Sequence, residues 1–405
     1  MHTVQSQLFR RPIHWGICGA GKISTDFAIG LFQNGSCVHA VASRGGSGAQ
    51  EFVQKFAACG QNIGHSFNSY EEMFADPDLD MVYVGTVHPT HHQVALAAIR
   101  AGKHVLVEKP LCTTLAETRD LVAEARKVGV FLMEALWTRC FPVTLRVREI
   151  LASNRLGPVR AVSADFGFYL PFDASHRLHS KEMGGGAMLN LGFYPVQWAV
   201  FAFGGQMPNH IVAAGRLSPS GVDLQGGATL IWDNKDHTGD SKVGTSFGVA
   251  SLTFGFSCNT GETAEIICEK GSLCVETPAH APTKLKVVDR TADPFARPGS
   301  GCCEEEVVEF PLEELPYHTW AHPRPGLSYP HGEGMMYEAR HVEECLSKGL
   351  LESPWYPLDE TLVVAQIMDD CLHQINRPSP ANLADRCQGL VLLGVPDKTH
   401  SWAND

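Results

Sequence analysis

The chain has 405 residues, 44% of them hydrophobic and 19% charged, enough for two domains with separate cores. Its 32 Lys and Arg stand against 44 Asp and Glu, a formal net charge of −12, which argues against non-specific binding to nucleic acid or an anionic membrane. No apolar stretch is long enough to span a bilayer and residues 1–11 lack an apolar signal core, so a cytoplasmic protein with a short disordered lead-in is expected.

Residues 14–17 form a short apolar run that breaks into a helix through Gly19-Ala20-Gly21-Lys22-Ile23-Ser24. This is the arrangement of a dinucleotide fingerprint, with Ser24 in place of its third glycine. Gly19 allows the tight turn. Gly21 lets backbone N–H groups, those of Lys22 and Ile23 among them, approach a pyrophosphate at the positive end of the helix. Ser24 is still small enough for close packing of helix on strand. A second strand over 37–42 ends in Ser43-Arg44, where an NAD enzyme carries an acid for the ribose hydroxyls. A hydroxyl and a guanidinium suit a 2′-phosphate instead, which favours NADP(H) over NAD(H). The alternative is that Arg44 only opens a solvated glycine loop.

Strands over 80–85, 104–107 and 130–134 alternate with helices over 91–102 and 115–129. Alternating units of this kind build a doubly wound parallel sheet with helices on both faces, here an NADP-binding Rossmann domain over 1–137. The remainder, 138–405, reads as an α+β domain for substrate binding and oligomerisation. After a helix over 143–153, short strands over 159–168, 211–217, 228–232, 249–256, 262–269, 272–276, 285–288 and 306–310 are separated by turn residues. With no helix long enough for parallel crossovers, a large, mostly antiparallel sheet is expected. Loops are expected over 233–245 and 292–301. A Pro/His-rich segment over 318–334 precedes a helix over 335–348, and no internal repeat is present. Apolar residues on both faces of the strand over 249–256 hint at a homodimer or larger assembly.

The 13 cysteines are scattered without a C-x-x-C and only Cys302 and Cys303 adjoin, so reduced thiols are expected, with no disulfide and no zinc. With no apolar signal core in residues 1–11, the Asn34-Gly35-Ser36 sequon is expected to be without consequence. His88, His91 and His92 adjoin a helix start with no carboxylate at ligand spacing, so no metal is expected there.

Lys109 stands at the carboxyl end of a parallel strand, where it would point into the crevice that holds a nicotinamide. An ammonium there can hold a substrate oxygen and favour negative charge developing on it; a surface lysine capping a turn is the alternative. Glu108 would position Lys109 or the amide face; a solvated carboxylate is the alternative. Tyr194 carries a phenol whose pKa, about 10 in isolation, a neighbouring ammonium would lower toward use as acid or base; the alternative is a packing aromatic. Asn190, four residues earlier, would share its helix face and look into the same cleft, where an amide can orient a hydroxyl but not take a proton.

The glycine turn, Thr86-Val-His88-Pro-Thr-His91, Glu108-Lys109-Pro110, residues 131–139 with Trp137-Thr-Arg139, and Gly184-Gly-Gly through Tyr194 together resemble the glucose–fructose oxidoreductase/inositol dehydrogenase family, over about residues 12–375. Within it the resemblance is to the branch of dimeric dihydrodiol dehydrogenases and fungal NADP-dependent D-xylose dehydrogenases. It implies Lys109 and Tyr194 as catalytic pair, the Thr86–His91 loop with His88 and His91 as a wall beside the nicotinamide, and Trp137 and Arg139 as a roof. His176 and Arg177 lie in a lid loop before the glycine run, and Arg177 could contact substrate hydroxyls or be a surface charge. Asn190 stands where the family carries aspartate. The expected activity is hydride transfer between NADP(H) and a carbinol carbon of a small-molecule substrate: an aldose of the D-xylose type giving a lactone, a cyclic polyol, or a trans-dihydrodiol. The alternatives are a specialised-metabolism reductase, a redox-neutral nicotinamide enzyme, or a non-catalytic NADP(H) sensor with a protein partner.

Overall fold

The computed structural model describes residues 12–45, 47–233, 247–293, 295, 303–313 and 325–377. The expected lead-in, most of the loops expected over 233–245 and 292–301, and the first part of the Pro/His-rich segment over 318–334 lie outside them.

Six parallel strands form the first sheet in the order β3 (His65–Phe67), β2 (Cys37–Ala42), β1 (His14–Cys18), β4 (Met81–Val84), β5 (His104–Glu108) and β6 (Leu132–Ala135), with β1 at its centre and β6 at one edge. β4 (Met81–Val84) and β6 are buried at every residue, because helices cover both faces and leave no solvated side to alternate toward. Between β2 (Cys37–Ala42) and β4 lie α2 (Gly48–Ala57), β3 (His65–Phe67) and α3 (Tyr70–Phe74), unread in the sequence although α2 buries Ala49, Phe52 and Phe56 at helical spacing; β3 and α3 are three and five residues long. α1 (Lys22–Asn34) follows the glycine turn. α5 (Leu115–Val128) starts where the Thr114 hydroxyl accepts from Glu117 N–H and stops at Gly129 in the left-handed region.

The second sheet has eight strands in the order β14 (Glu304–Glu309), β13 (Lys284–Asp289), β12 (Gly271–Val275), β11 (Ala264–Cys268), β7 (Val159–Gly167), β10 (Gly248–Gly255), β9 (Asp223–Trp232) and β8 (His210–Leu217). It is antiparallel except that β10 (Gly248–Gly255) runs parallel to its neighbour β7 (Val159–Gly167). This corrects the expectation that no crossover helix intervenes: α7 (Phe193–Ala202) lies between them in sequence. All ten of its residues are buried, so it has no polar face to mark it as a helix. The inward residues of β10 are Ala250, Leu252 and Phe254, whereas Ser251 and Thr253 face outward, so the strand is not apolar on both faces. α9 (Leu358–Ile375), unread in the sequence, packs on β8 (His210–Leu217).

The carboxyl-terminal part also returns to the first sheet. α8 (Met335–Ser347) lies against α1, and Gly30 makes the contact close: a Cβ there would meet Met336 N at 2.9 Å. Glu343 accepts from Trp15 Nε1 at 2.9 Å and from Asn34 Nδ2 at 3.0 Å. Asp26, buried on α1, accepts from the backbone N–H groups of Ser328 and Tyr329 at 3.0 Å. These bonds seat the segment before α8 over the carboxyl end of the parallel strands.

Candidate active site

The dinucleotide cradle is built where β1 ends. Gly19 has φ +92° and a Cβ there would press on the Gly85 carbonyl oxygen at 3.1 Å, so the turn requires glycine. Gly21 caps α1 without a side-chain cap, α1 has no acid in its first turn, and the space a Cβ on Gly21 would fill is open. The first N–H groups of α1, including those of Lys22 and Ile23, therefore have room for a phosphate to approach. Ser24 is fully buried with its hydroxyl 3.4 Å from the Gly85 oxygen, packing α1 against the end of β4. Ser43 accepts from Ala49 N–H at 2.9 Å and so caps α2, while Arg44 is exposed and hydrogen-bonds the Tyr70 phenol. These residues fit an NAD(P) group.

The reactive cluster sits at the next strand ends. Lys109 directly follows β5 (His104–Glu108), and Asn190 belongs to a π-helical turn, Met188–Gly192, that opens α7. Lys109 Nζ donates to the backbone oxygen of Asn190 at 3.0 Å and lies 4.7 Å above the centre of the Tyr194 ring. In the π register the carbonyl of Asn190 would pair five residues on, with Pro195, which has no N–H; the lysine supplies the donor instead. Tyr194 Oη accepts from Trp137 Nε1 at 3.3 Å, and its ring packs among Phe166 and His280. Burial lowers the Lys109 pKa to about 8, the nearby Arg177 adds to this, and Glu108 opposes it. Burial also drives the Tyr194 phenol well above its ordinary value, with Glu108 contributing. The expected lowering by the ammonium is thus corrected: Lys109 faces the ring, not the hydroxyl, and the site is too dry for a phenolate.

Glu108 accepts from Tyr83 Oη at 2.7 Å and from Lys109 N–H at 3.2 Å, so it holds the backbone on which Lys109 stands. Glu134 takes the next turn, accepting from Leu111 N–H at 2.6 Å and from Tyr356 Oη at 2.8 Å; burial raises its pKa to about 7. Sequence reading gave Glu134 no role. A lone acid inside the apolar run of β6 was the available signal.

Asn190 does not present its amide donors to the cleft it was expected to share with Tyr194. Its Nδ2 donates to the Gly186 oxygen at 2.7 Å and to the Gly184 oxygen at 3.3 Å, and the ring of His88 meets the same Gly184 oxygen through Nδ1 at 3.1 Å. Asp223, its pKa raised by burial to about 6, accepts from Met188 N–H at 2.6 Å. The glycine run is thereby fastened below Lys109, and two carbonyl oxygens demand the donors that only an amide offers at position 190.

One expected wall residue, His91, and one expected roof residue, Arg139, stand elsewhere. His91 is fully buried, with Nδ1 2.9 Å from the Pro110 oxygen and Nε2 3.1 Å from the Thr86 oxygen, so it is a strut between two loops. Arg139 is also fully buried; it pairs with Glu360 at 2.5 Å, donates to Gln197 at 2.8 Å and stacks over Phe201 and Tyr356. It ties α7 to α9 and forms no roof. His176 caps the short turn that carries Arg177 by accepting from Leu178 N–H. Arg177 does face the cluster, acting electrostatically on Lys109 and His88, and it hydrogen-bonds Tyr329. Tyr329 and its anchor Asp26 were missed, because the pair joins segments 303 positions apart.

Comparison with known proteins agrees with this architecture. Residues 13–136 match the model of an oxidoreductase family with an NAD-binding Rossmann fold, GFO_IDH_MocA, and residues 144–274 match the GFO/IDH/MocA C-terminal domain. The chain is 38% identical over 361 residues to the trans-1,2-dihydrobenzene-1,2-diol dehydrogenase of Bos taurus, covering 88% of this chain and 95% of that one. The protein of the same description from Xenopus tropicalis is 35% identical over 372 residues, covering 90% and 99%. Among solved structures, KijD10, a 3-ketoreductase from Actinomadura kijaniata in complex with NADP and TDP-benzene, shares the fold with a TM-score of 0.68 at 23% identity, covering 90% of this chain and 98% of that one. Levoglucosan dehydrogenase in complex with NADH and levoglucosan does so with 0.71 at 18%, covering 90% and 97%.

Proposed function

The chain belongs to the GFO/IDH/MocA family of oxidoreductases, and on that premise we propose that it uses NADP+ to oxidise a carbinol carbon of a trans-dihydrodiol. The observation that carries the reading is the Lys109 ammonium held by the Asn190 carbonyl over Tyr194, at the same strand ends as the Gly19–Gly21 cradle. The bound nicotinamide supplies the hydride acceptor. Tyr194, fixed by Trp137, keeps its proton and donates a hydrogen bond to the substrate oxygen. Lys109, with a pKa near working pH, takes the proton of the reacting hydroxyl as its carbon loses hydride, which leaves a carbonyl. Phe166, His280 and Trp137 offer aromatic surface to the apolar face of a cyclohexadiene ring.

The NADP(H) preference rests on Arg44 and on the lack of an acid at the end of β2. An aldose of the D-xylose type, oxidised at C1 to a lactone, is the second reading; Arg177 and Tyr329 favour it by offering donors to further hydroxyls. Assembly as a homodimer, which the resemblance to the dimeric dihydrodiol dehydrogenases implies, and a cytoplasmic setting in keeping with the free thiols of the described cysteines, complete the proposal. An initial-rate assay with trans-1,2-dihydrobenzene-1,2-diol and D-xylose, each with NADP+ and NAD+, tests it through the absorbance of the reduced nicotinamide. Turnover of the diol with NADP+ is expected. Cofactor binding without turnover of either substrate would point to a sensor instead.

A further inference from the structure

At the amino ends of the parallel strands, opposite the active site, three elements bring metal-binding side chains together. His39 is the third residue of β2, His65 opens β3, and Asp76 lies between α3 and β4. One donor atom from each falls within 4.8 Å of the others. His39 Nε2 is 2.9 Å from Asp76 Oδ2, close to the about 3–3.5 Å that separates neighbouring donors each about 2.1 Å from one ion. The His39 ring is fixed on one side by His14, stacked at 4.9 Å with 2° between planes, and meets His65 edge-on at 5.1 Å. The side chains of His39 and Asp76 are 12% and 16% exposed, whereas His65 is exposed. Two donors are thus held by the fold, and the third can swing in from the solvent side.

We propose that His39, His65 and Asp76 bind a divalent transition-metal ion of the Zn2+, Co2+ or Ni2+ class, with water completing its shell. Two imidazoles and one carboxylate suit such ions better than Mg2+ or Ca2+, which take oxygen donors. The ion takes the place of the hydrogen bond between His39 and Asp76. It fastens β2, β3 and the loop before β4 to one another. The Lys103 ammonium, which donates to the backbone oxygens of Asp76 and Leu79, is a like charge nearby and keeps the site from binding as tightly as a closed structural zinc centre.

The full-length protein, stripped with a chelator, is titrated with Co2+ by calorimetry and visible absorption beside His65→Ala and Asp76→Asn. One equivalent is expected, with the weak visible bands of nitrogen and oxygen ligation. Affinity should fall about tenfold or more in each variant. His65 is exposed, so His65→Ala keeps the fold, and its thermal unfolding without metal should match the parent. Equal affinity in parent and His65→Ala, no binding by the parent, or a near-ultraviolet thiolate-to-cobalt band would each overturn the assignment.

Discussion

The Lys109 ammonium lies over the face of Tyr194, 4.7 Å from the ring centre, and so stabilises the ring without ionising its hydroxyl. With the phenol raised by burial and the amine lowered to about 8, the proton acceptor is the lysine. The rate of diol oxidation, measured as kcat/KM, should therefore climb with pH and level off above about 8, where the amine is neutral. Tyr194→Phe should lower the plateau about 10²–10⁴-fold and keep the inflection, whereas Lys109→Ala should abolish the inflection itself. NADP+ affinity should change little in both. An unchanged inflection in Lys109→Ala would assign the base elsewhere.

Asn190→Asp restores the residue that the family resemblance leads one to expect, yet it should damage this enzyme. A carboxylate oxygen would replace an N–H donor facing the oxygens of Gly184 and Gly186. Leaving buried acceptors unpaired costs about 1–3 kcal/mol, and repulsion adds to it. Turnover should fall roughly tenfold or more and the melting temperature by several degrees, for example by calorimetry. A rise in turnover would show that the glycine run tolerates the charge and that the amide matters for another reason.

Arg44→Asp tests the cofactor assignment. Replacing a phosphate partner by a carboxylate removes a charge-assisted hydrogen bond worth roughly 1.5–3 kcal/mol, a tenfold to hundredfold change. Fluorescence titration should show NADP+ weakened by that factor with NAD+ nearly unaffected. Parallel losses for the two cofactors would remove Arg44 from the phosphate site.

What could be read in the sequence was what is encoded locally. Gly19, Gly21, Lys109 and Tyr194 stand at fixed distances from strand and helix starts, and such spacing survives without knowledge of the fold. The run of α7 beyond Tyr194 escaped because a helix buried all round has no polar stripe, and β3 because three residues carry no period. The roles of Asn190, His91 and Arg139 depend on which carbonyls and carboxylates the chain folds against them. Arg139 meets Glu360 across 221 positions, a pairing no window of sequence contains. The residue types suggested polar work in the cleft, and the long-range partners turned that work into support.

Glu134 offers a test of how the lysine turn is held. Its carboxyl has a pKa of about 7 in the fold against an ordinary 4.5, so the folded chain holds the proton more tightly than the unfolded one. Its stabilising contribution is complete below about pH 4.5 and is lost as pH rises through 7. Glu134→Gln keeps both hydrogen bonds, with the amide oxygen accepting from Leu111 N–H and the amide nitrogen donating to the Tyr356 oxygen. It removes the buried charge. Denaturant unfolding at pH 8 should find the variant more stable than the parent by about 1–3 kcal/mol, with the difference vanishing toward pH 5. The difference between the two proteins isolates this group from the other acids that titrate in the same window. A variant that is less stable at pH 8 would mean that the ionised carboxylate, through its attraction to Lys109, is what holds the turn.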